Sequence, residues 1–513
     1  SSKIYDLETT EAFAFSKGHG YAQNGDIDSE EKFIERFQNL STEDINEQLL
    51  NSIPKEWNVS LQVPHGENNQ SLHETISDFK RELNKLFKSK FTFRRAKNEF
   101  SKFDESLSYH QVKEGIHLLH KANPKVKTFS FQTYLKGGLT NERLSSNGSY
   151  HLITSLLNAS TNTSTKIELR SFFEQRAVSY STFNGKNAYG SALNGLSMDF
   201  SEVFPIYASC MLDAKFSKKE LTQEKVITRR VLKSEKEDPT RMIFKKLSNV
   251  IFKDHPYGLP QTGSIESLSK ISAENLKKIH KQNLRTSPIV FCYSGPDSPE
   301  FILSQIRRSF NSLKKRKDFR KLNEKKITIK KRSENRLKFN REQAHLFYGF
   351  QTLSIKSPET LALKVIHTFL SGQSSKLFTE VRDKKGLCYS VQPIFFNAME
   401  GGYFGIYMGC SNEKSNQAIE SIQDIIHHLR NNGLKRIEFE SAKQMILGQF
   451  EMGLQTNDDF IGIYGVPFLH GKGIDFYYEQ NQKVKELSLS QLNKQIKKVL
   501  SRPLHLVIGG RVP

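Results

Sequence analysis

The sequence predicts an α+β protein with two sheet-containing domains, preceded by the tail of a further domain and a helical linker. Its 513 residues exceed what one ordinary hydrophobic core holds. Strand-like segments begin near residue 107, give way to helices, and begin again after a basic connector. A repeat also relates the start of the chain to its end. The predicted divisions are a tail at 1–65, a linker at 66–106, domains at 107–310 and 336–513, and a connector at 311–335.

The linker and the first domain are predicted from hydrophobic periodicity. Residues 71–103 alternate apolar and charged positions at helical spacing and predict the long helix of the linker. The helix that carries His151 is predicted to follow Gly137 and Gly138. The other predicted elements are strands at 112–119, 128–135, 166–173, 178–184 and 289–293, and helices at 200–212 and 300–310.

The second domain is predicted in the same way. It opens with a strand at 343–350 and ends with a short strand at 504–508. Between them we predict a helix at 360–369, a helix containing Arg382, strands at 389–396 and 402–408, and two late helices.

The start and the end of the chain resemble each other at a constant offset of 447 residues. Phe13 matches Phe460, Gly18 matches Gly465, and the match continues as far as residues 46 and 493. Both copies have the pattern of a helix, a polar turn, a second helix and a short strand. A repeat this long indicates a duplicated multi-domain unit. Residues 1–65 would then be the tail of a preceding half.

The charge balance raises the question of a nucleic-acid partner. The chain has 76 basic and 55 acidic residues, a net charge of +21. The lysines are spread along amphipathic helices, and their densest runs, at 314–317 and 330–332, lie in the connector. A solvated connector is the ordinary explanation, and an acidic substrate or partner surface is the remaining one. The sequence contains no nucleic-acid motif and no run of 18 apolar residues that would span a membrane.

The four cysteines, Cys210, Cys292, Cys388 and Cys410, show no short pairing motif. This spacing argues against a metal knuckle and against a disulfide scaffold, and it does not define the compartment. The first residues lack a signal-peptide pattern and an initiating Met. We expect that a leader was removed or that Ser1 lies inside a longer chain.

One segment carries a specific resemblance. Residues 371–390 read SGQSSKLFTEVRDKKGLCYS and resemble the C-terminal domain of the M16 family, which includes insulinase, pitrilysin and mitochondrial processing peptidase. In that family a small-residue loop leads into a helix, and an Arg and a Tyr seven positions apart point toward the zinc site of a facing domain. The matching residues are Arg382 and Tyr389. The resemblance implies that the loop residues Ser374 and Ser375 also face the substrate.

The family's zinc motif is incomplete at the corresponding place. His-x-x-Glu-His lets two imidazoles grip zinc while the Glu polarises its water. Here residues 147–157 read NGSYHLITSLL, so the motif becomes His151-x-x-Thr154-Ser155. The third ligand would fall within 229–232, ahead of the surviving His255-Pro-Tyr-Gly258, and none of these four residues is acidic. We therefore expect no metal in this chain alone, and we expect His151 to be satisfied by a polar partner.

The resemblance implies antiparallel-rich sheets with helices on one face, and a non-catalytic half of a zinc metallopeptidase. Such a half would bind the peptide substrate and complete the active site of a zinc-bearing half, from the same precursor or a separate subunit. The Tyr389 hydroxyl would suit a carbonyl oxygen, and the Arg382 guanidinium peptide carbonyls or a carboxylate.

Three alternatives remain open from the sequence. Arg382 could pair with Glu380 or Asp383 while Tyr389 packs at a strand start. The chain could be an inert peptide-binding or scaffold subunit, or a basic nucleic-acid-binding protein. For localisation, family habit favours a periplasmic or other extracytoplasmic site in a bacterium, with a mitochondrial site as the alternative.

Overall fold

The computed structural model describes residues 9–26, 28, 32, 98–314 and 327–511. Two compact units divide the chain: one contains the helix of the N-terminal tail, and the other contains both sheets. The linker at 66–97, the remainder of the tail and connector residues 315–326 lie outside the described residues. Within the described part, no helix is both long enough and apolar enough to cross a bilayer.

The first domain is built on a seven-stranded sheet in the order β1-β2-β3-β7-β4-β6-β5. All neighbouring strands are antiparallel except β3 and β7. Strand β4, next to the central strand β7, is buried along almost its whole length, although polar and apolar residues alternate in its sequence TFSFQTYL. The strands are β1 (Asn98–Phe100), β2 (Leu107–Lys113), β3 (Ile116–Ala122), β4 (Thr128–Lys136), β5 (Ser179–Asn184), β6 (Ala188–Leu196) and β7 (Ile289–Gly295).

The tail contains helix α1 (Thr10–Asn24), and the helices of the first domain lie between its strands in sequence, except α9, which follows β7. Several begin at a serine or aspartate that accepts a hydrogen bond from the first turn, as at Ser217 and Asp238. The helices are α2 (Ser149–Leu157), α3 (Lys166–Glu174), α4 (Phe200–Leu212), α5 (Lys218–Ser234), α6 (Pro239–Ile251), α7 (Ile265–Lys270), α8 (Ala273–Thr286) and α9 (Pro299–Ser309).

The second domain is built on a five-stranded sheet in the order β10-β11-β9-β12-β8. Its strands are β8 (Ser333–Lys338), β9 (Gln343–Thr352), β10 (Cys388–Asn397), β11 (Gly402–Ser411) and β12 (Leu504–Gly510). The pair β12 and β8 is parallel and the other pairs are antiparallel. The helices are α10 (Glu359–Leu370), a π-helix at Leu377–Lys384, α11 (Ser415–Asn432), α12 (Arg436–Met452), α13 (Asn457–Leu469), α14 (Phe476–Glu486) and α15 (Leu489–Leu500).

The two domains exchange helices across their junction. Helix α13, late in the chain, packs on strands β4 and β7 of the first sheet, where Ile461 and Phe468 meet Tyr134 and Val290. Helix α6 of the first domain packs on β9 and β12 of the second sheet. Each sheet is therefore covered by its own helices on one face and by a helix from the other domain on the opposite face. This arrangement fixes the relative placement of the two domains.

Gly465 of α13 is expected to be essential for this junction. A Cβ atom at Gly465 would overlap the ring of Tyr134, whereas a Cβ at Gly462, on the same helix, would meet nothing within 4 Å. We expect Gly465→Ala to lower the free energy of unfolding by about 1–3 kcal/mol through overpacking. Gly462→Ala should raise it by about 0.5–1 kcal/mol through helix propensity. Urea denaturation of both variants checks this, and equal effects would contradict the packing described.

Three predictions for the linker and the first domain are wrong. The predicted strand at 112–119 is divided by a turn at residues 114–115, where Gly115 has a φ of 71°, between β2 and β3. The predicted linker helix at 71–103 does not reach its expected end, because Asn98–Phe100 pair antiparallel with β2 as strand β1. The predicted strand at 166–173 is helix α3. The amide of Thr165 donates to the Glu168 carboxylate, and the amide of Glu168 donates to the Thr165 hydroxyl. This Thr-x-x-Glu capping box is the helix signal that the strand prediction overlooked.

The second domain also departs from its prediction. Five helices, α11 to α15, follow β11 where two were predicted. The basic connector, predicted to run to residue 335, ends earlier, because residues 333–338 form β8 beside β12. Alternate β8 residues are exposed, so its charged side chains suit an edge strand with one solvent face.

Helix α1 begins at the position that the repeat predicts. Thr9 caps α1 by accepting a hydrogen bond from the amide of Ala12, and Thr456 caps α13 by accepting one from Asp459. These cap residues are also 447 positions apart. Phe13, Phe15 and Tyr21 of α1 are exposed, whereas the equivalent of Tyr21 on α13, Phe468, is buried against the first sheet. The origin of residues 1–65 as the tail of a preceding half stays a prediction.

Candidate substrate-contacting site and degenerate metal motif

The segment that carries Arg382 is a π-helix rather than an α-helix. Glycines with positive φ lie on either side of it, Gly372 at 89° and Gly386 at 55°. Leu377 and Val381 anchor its inner face in the core of the second domain. Helices of this type occur often at functional sites. The inner anchoring leaves residues on the opposite face, including Arg382, at the surface.

Arg382 is held by stacking. Its guanidinium carbon lies 4.4 Å from the centroid of the Phe378 ring, one turn earlier. Among residues 98–314 and 327–511 the structure records no ion pair between Arg382 and Glu380 or Asp383, the pairing that the sequence left open. The exposed guanidinium therefore keeps its planar set of N–H donors toward solvent.

Tyr389 is displayed by a β-bulge. Strand β10 pairs with β11 through Cys388 opposite Cys410 and then Ser390 opposite Gly409, so Tyr389 is the extra residue of the bulge. Bulges re-aim side chains and are common beside active sites. Tyr389 is 73% exposed, which excludes the alternative that it packs at the strand start.

The neighbouring residue Cys388 has a protonated thiol at neutral pH. Burial raises the pKa of Cys388 to about 11, and the positive charge of Arg382 partly offsets this increase.

The two loop serines have different environments. Ser374 is exposed at the tip of the loop. Ser375 is buried, and its hydroxyl accepts a hydrogen bond at 3.3 Å from the amide of Phe378, in the first turn of the π-helix. Ser374, Arg382 and Tyr389 are thus each exposed, whereas the Ser375 hydroxyl is engaged within its own segment. Substrate contact by these residues stays a prediction.

Helix α2, which carries the metal-motif remnant, is positioned by Glu142. One Glu142 carboxylate oxygen accepts from the Tyr150 amide at 2.8 Å, and the other from the Gly148 amide at 2.8 Å and from Asn147 Nδ2 at 2.7 Å. Burial raises the pKa of Glu142, although these three hydrogen bonds oppose the shift. The sequence did not predict a role for Glu142, because its carboxylate meets the start of α2 only after the loop between them has folded.

The motif positions make ordinary structural contacts. His151 Nε2 lies 3.2 Å from the Thr228 hydroxyl on α5. The buried Thr154 hydroxyl donates to the carbonyls of Tyr150 and His151, and Ser155 is half-buried. Val231, which lies one turn beyond Thr228 within the predicted 229–232 window, has no ligating atom.

This donor set does not fit a zinc ion, which needs three protein ligands in a catalytic site. Only one imidazole is present, and its outer nitrogen faces a hydroxyl. Burial lowers the pKa of His151, so the ring is neutral at pH 7, and Glu224 and Glu235 act in the opposite direction. Within the described ranges, no group of three His, Cys, Asp or Glu side chains is arranged to hold a metal ion.

His151 should therefore be replaceable at small cost. We expect His151→Gln to change the free energy of unfolding by about 1 kcal/mol or less, the value of one hydrogen bond to Thr228. Zinc content, measured by mass spectrometry after dialysis, should be the same in the variant and the unmodified chain. A fall in bound zinc on this substitution would contradict the absence of a metal role.

The surviving His255-Pro-Tyr-Gly258 segment lies at the domain junction. His255 Nε2 lies 2.6 Å from the Glu400 carboxylate of the second domain, and both side chains are buried. The Tyr257 hydroxyl donates to Asn187 Oδ1 at 2.6 Å and accepts from the Glu400 amide at 3.3 Å. These contacts make the segment a connection between the β5–β6 turn and the second domain.

Fold and site together define a two-domain, metallopeptidase-like chain whose motif helix carries a single imidazole. Two family models match: insulinase (peptidase family M16) over residues 118–264, and the peptidase M16 inactive domain over residues 270–446. The chain belongs to peptidase family M16, as the sequence resemblance predicted.

Curated relatives agree with this assignment, and solved structures share the fold. An uncharacterized zinc protease of Bacillus subtilis is 24% identical over 67% of this chain and 83% of its own length. Another, from Mycobacterium leprae, is 22% identical over 77% and 90%. The crystal structure of a peptidase M16 inactive domain from Pseudomonas fluorescens has a TM-score of 0.72 at 18% identity, covering 82% of this chain and 98% of that one. A Helicobacter pylori protease gives 0.70 at 16% identity, covering 81% and 100%. These structures show the same fold.

Proposed function

We propose that this chain is the non-catalytic half of an M16-type zinc endopeptidase, and that it completes the active site of a zinc-bearing half. The observation that carries the proposal is a contrast between the two domains. The first has a motif helix without a workable ligand set, whereas the second presents Arg382 and Tyr389 on its surface.

The chemistry of the two displayed residues suits peptide hydrolysis in a partner's site. When water attacks a peptide carbonyl, negative charge develops on its oxygen, and a donor aimed at that oxygen stabilises the transition state. The Tyr389 hydroxyl supplies such a donor. The Arg382 guanidinium supplies several N–H donors in one plane, which suits neighbouring carbonyls of an extended peptide.

The location of Tyr389 also supports peptide binding. Strand β10 lies at one edge of the second sheet, and Tyr389 is near its beginning. An edge strand can accept an extended peptide through backbone hydrogen bonds. The proposed partner is a zinc-bearing M16 half, either from the same precursor or a separate subunit, and the zinc of the reaction would be held by that partner.

A scaffold subunit with no role in proteolysis is the second candidate. A scaffold could explain the missing ligands and the buried Glu400 connection. It gives no reason for an exposed tyrosine on a bulge beside an arginine that lacks an ion pair in the described part of the chain. The proposed role accounts for both features.

The test is reconstitution. The chain would be co-expressed with the coding region upstream of it, or with a neighbouring M16 gene whose product contains His-x-x-Glu-His, and purified through a tag on this chain. The proposal predicts co-purification and hydrolysis of an unfolded-peptide library by the pair. Co-purification of a pair whose activity is unaffected by Arg382→Ala and Tyr389→Phe would favour the scaffold candidate.

A further inference from the structure

A cavity of about 490 Å³ lies between the two domains of the sheet-containing unit. It is separate from the surface that displays Arg382 and Tyr389, and its walls come from β4, the β5–β6 turn, the end of β10 and helix α13. Its size is that of a small-molecule or short-peptide site. Most of the wall is aromatic or aliphatic: Tyr134, Phe183, Phe396, Met399, Pro467 and Tyr477.

One ammonium group faces this apolar wall. Lys186, in the β5–β6 turn, has its Nζ atom 5.1 Å from the centroid of the Phe396 ring and 5.3 Å from that of Tyr257. Within the described ranges no carboxylate forms an ion pair with it. Aromatic faces stabilise a cation only in part, and a desolvated charge without a counter-ion is costly. The site therefore favours a ligand that brings one negative charge.

Other positive charges lie near His470, which borders the cavity. His470 Nε2 bonds the carbonyl of Asn187, beside Lys186, at 3.0 Å. The positive charges of Lys136, Lys472 and Lys356 contribute to lowering the pKa of His470 to about 4, after burial as the main cause. These three lysines come from different segments, and each also has an interaction of its own elsewhere.

We propose that this cavity binds the carboxylate of an apolar molecule, with Lys186 as the counter-ion, and that its occupant is the C-terminus of a peptide with an apolar last residue. A monoanion matches one buried ammonium, whereas a dianion would leave a second charge uncompensated in the cavity. Two wall amides have a buried polar atom without a hydrogen-bond partner in the described part of the chain: Asn187 Nδ2, a donor, and Asn397 Oδ1, an acceptor. The amides of Gln132 and Gln261 already donate to Asp458 and to the Asn184 carbonyl. A peptide backbone supplies both an acceptor and a donor, whereas a fatty carboxylate would leave the Asn397 oxygen without a donor. This site does not depend on the proposed role in a paired enzyme.

Binding should weaken as Lys186 loses its proton. Burial lowers the pKa of Lys186 from 10.5 to about 8. The other charged groups around the cavity are Asp458, which accepts from the wall residue Gln132, the His255 and Glu400 pair, the lysines Lys136, Lys356 and Lys472, and Glu235, Lys236 and Arg241 in the adjoining cavity. The lowered pKa of Lys186 is due to burial, so we expect affinity to fall about fivefold to tenfold between pH 7 and pH 9.

Titration calorimetry on the full chain tests the site with three probes: acetyl-Ala-Ala-Phe as the free acid, the same peptide as its amide, and octanoate. We expect the acid to bind at least tenfold more tightly than the amide at pH 7. Lys186→Met should reduce binding of the acid at least tenfold, while Lys498→Met, at an exposed lysine of α15, should leave it unchanged.

Each other outcome overturns the proposal. If the unmodified chain binds the peptide acid and the peptide amide with equal affinity, carboxylate recognition is excluded. This comparison does not depend on the folding of any variant. Loss of binding in Lys498→Met as well would show a general charge effect. Tight binding of octanoate without the peptide acid would replace the peptide assignment by a fatty carboxylate.

Melting temperatures give an independent check on Lys186. Below about pH 8 Lys186 is charged in both the folded and the unfolded chain, so its burial destabilises the fold most there. Between about pH 8 and 10.5 only the unfolded chain keeps the proton, and the destabilisation decreases as the pH rises. We expect Lys186→Met to melt above the unmodified chain at pH 7, with the difference narrowing toward pH 10. A difference independent of pH would contradict the burial of a charged ammonium.

Discussion

In the reconstituted pair, Tyr389→Phe is expected to lower kcat by about 10²–10³-fold with little change in KM. This substitution removes one hydroxyl from a residue that is 73% exposed in the isolated chain, and loss of a single donor to a developing oxyanion has an effect of that order. Arg382→Ala should lower kcat/KM by a similar factor and also raise KM, because its guanidinium would hold the peptide before and during the reaction. Initial rates on a fluorogenic peptide measure both.

The controls separate chemistry from folding. Both substitutions lie at exposed positions, so the melting temperature of the isolated chain should change little. Arg436→Ala, at an exposed arginine on α12, should leave the activity of the pair unchanged. If Tyr389→Phe retains full kcat in a pair that is active and stably associated, Tyr389 does not act on the substrate.

The largest effect on stability is expected at Glu359. Its carboxylate forms a bidentate pair with Arg502, at 2.5 and 2.8 Å, and accepts from the Leu353 amide at 2.8 Å. The Glu359 side chain is 1% exposed. We expect Glu359→Ala to lower the free energy of unfolding by about 3–5 kcal/mol, because Arg502 would remain as a buried charge without its partner.

An exposed pair in the same domain provides the matched control. Glu334 and Arg336 on β8 are 2.9 Å apart and both about half exposed. We expect Glu334→Ala to cost about 0–1 kcal/mol. The double variant Glu359→Ala with Arg502→Ala should lose less stability than the sum of the two single variants. Urea midpoints for the four variants and the unmodified chain decide this, and equal losses at Glu359 and Glu334 would contradict the argument from burial.

Strong local signals made much of the fold predictable. The helix predicted at 200–212 is observed as Phe200–Leu212, and the strand predicted at 343–350 lies within Gln343–Thr352. Short or half-polar elements were harder. Strand β6, with the small residues Ala188, Gly190 and Ala192, was not predicted, because it is identified by its neighbours β4 and β5 rather than by an apolar run.

Arg382 and Tyr389 were proposed as site residues from their spacing, and their contact with substrate stays a prediction. The sequence did not indicate how the fold displays them. The π-helix and the bulge that display them depend on tertiary packing of Leu377 and on the pairing of β10 with β11. Lys186 had no signal in the sequence, because its aromatic neighbours Tyr257 and Phe396 come from distant segments. Contacts of this kind are established only when the two domains join.

Zinc stoichiometry together with peptidase activity, measured for this chain alone and then for its complex with a zinc-bearing M16 half, tests the central claim most directly. The account predicts negligible zinc and no activity for the chain alone, and about one zinc per complex with activity in the pair. One tightly bound zinc and peptide hydrolysis by the isolated chain, both lost in His151→Ala, would contradict it.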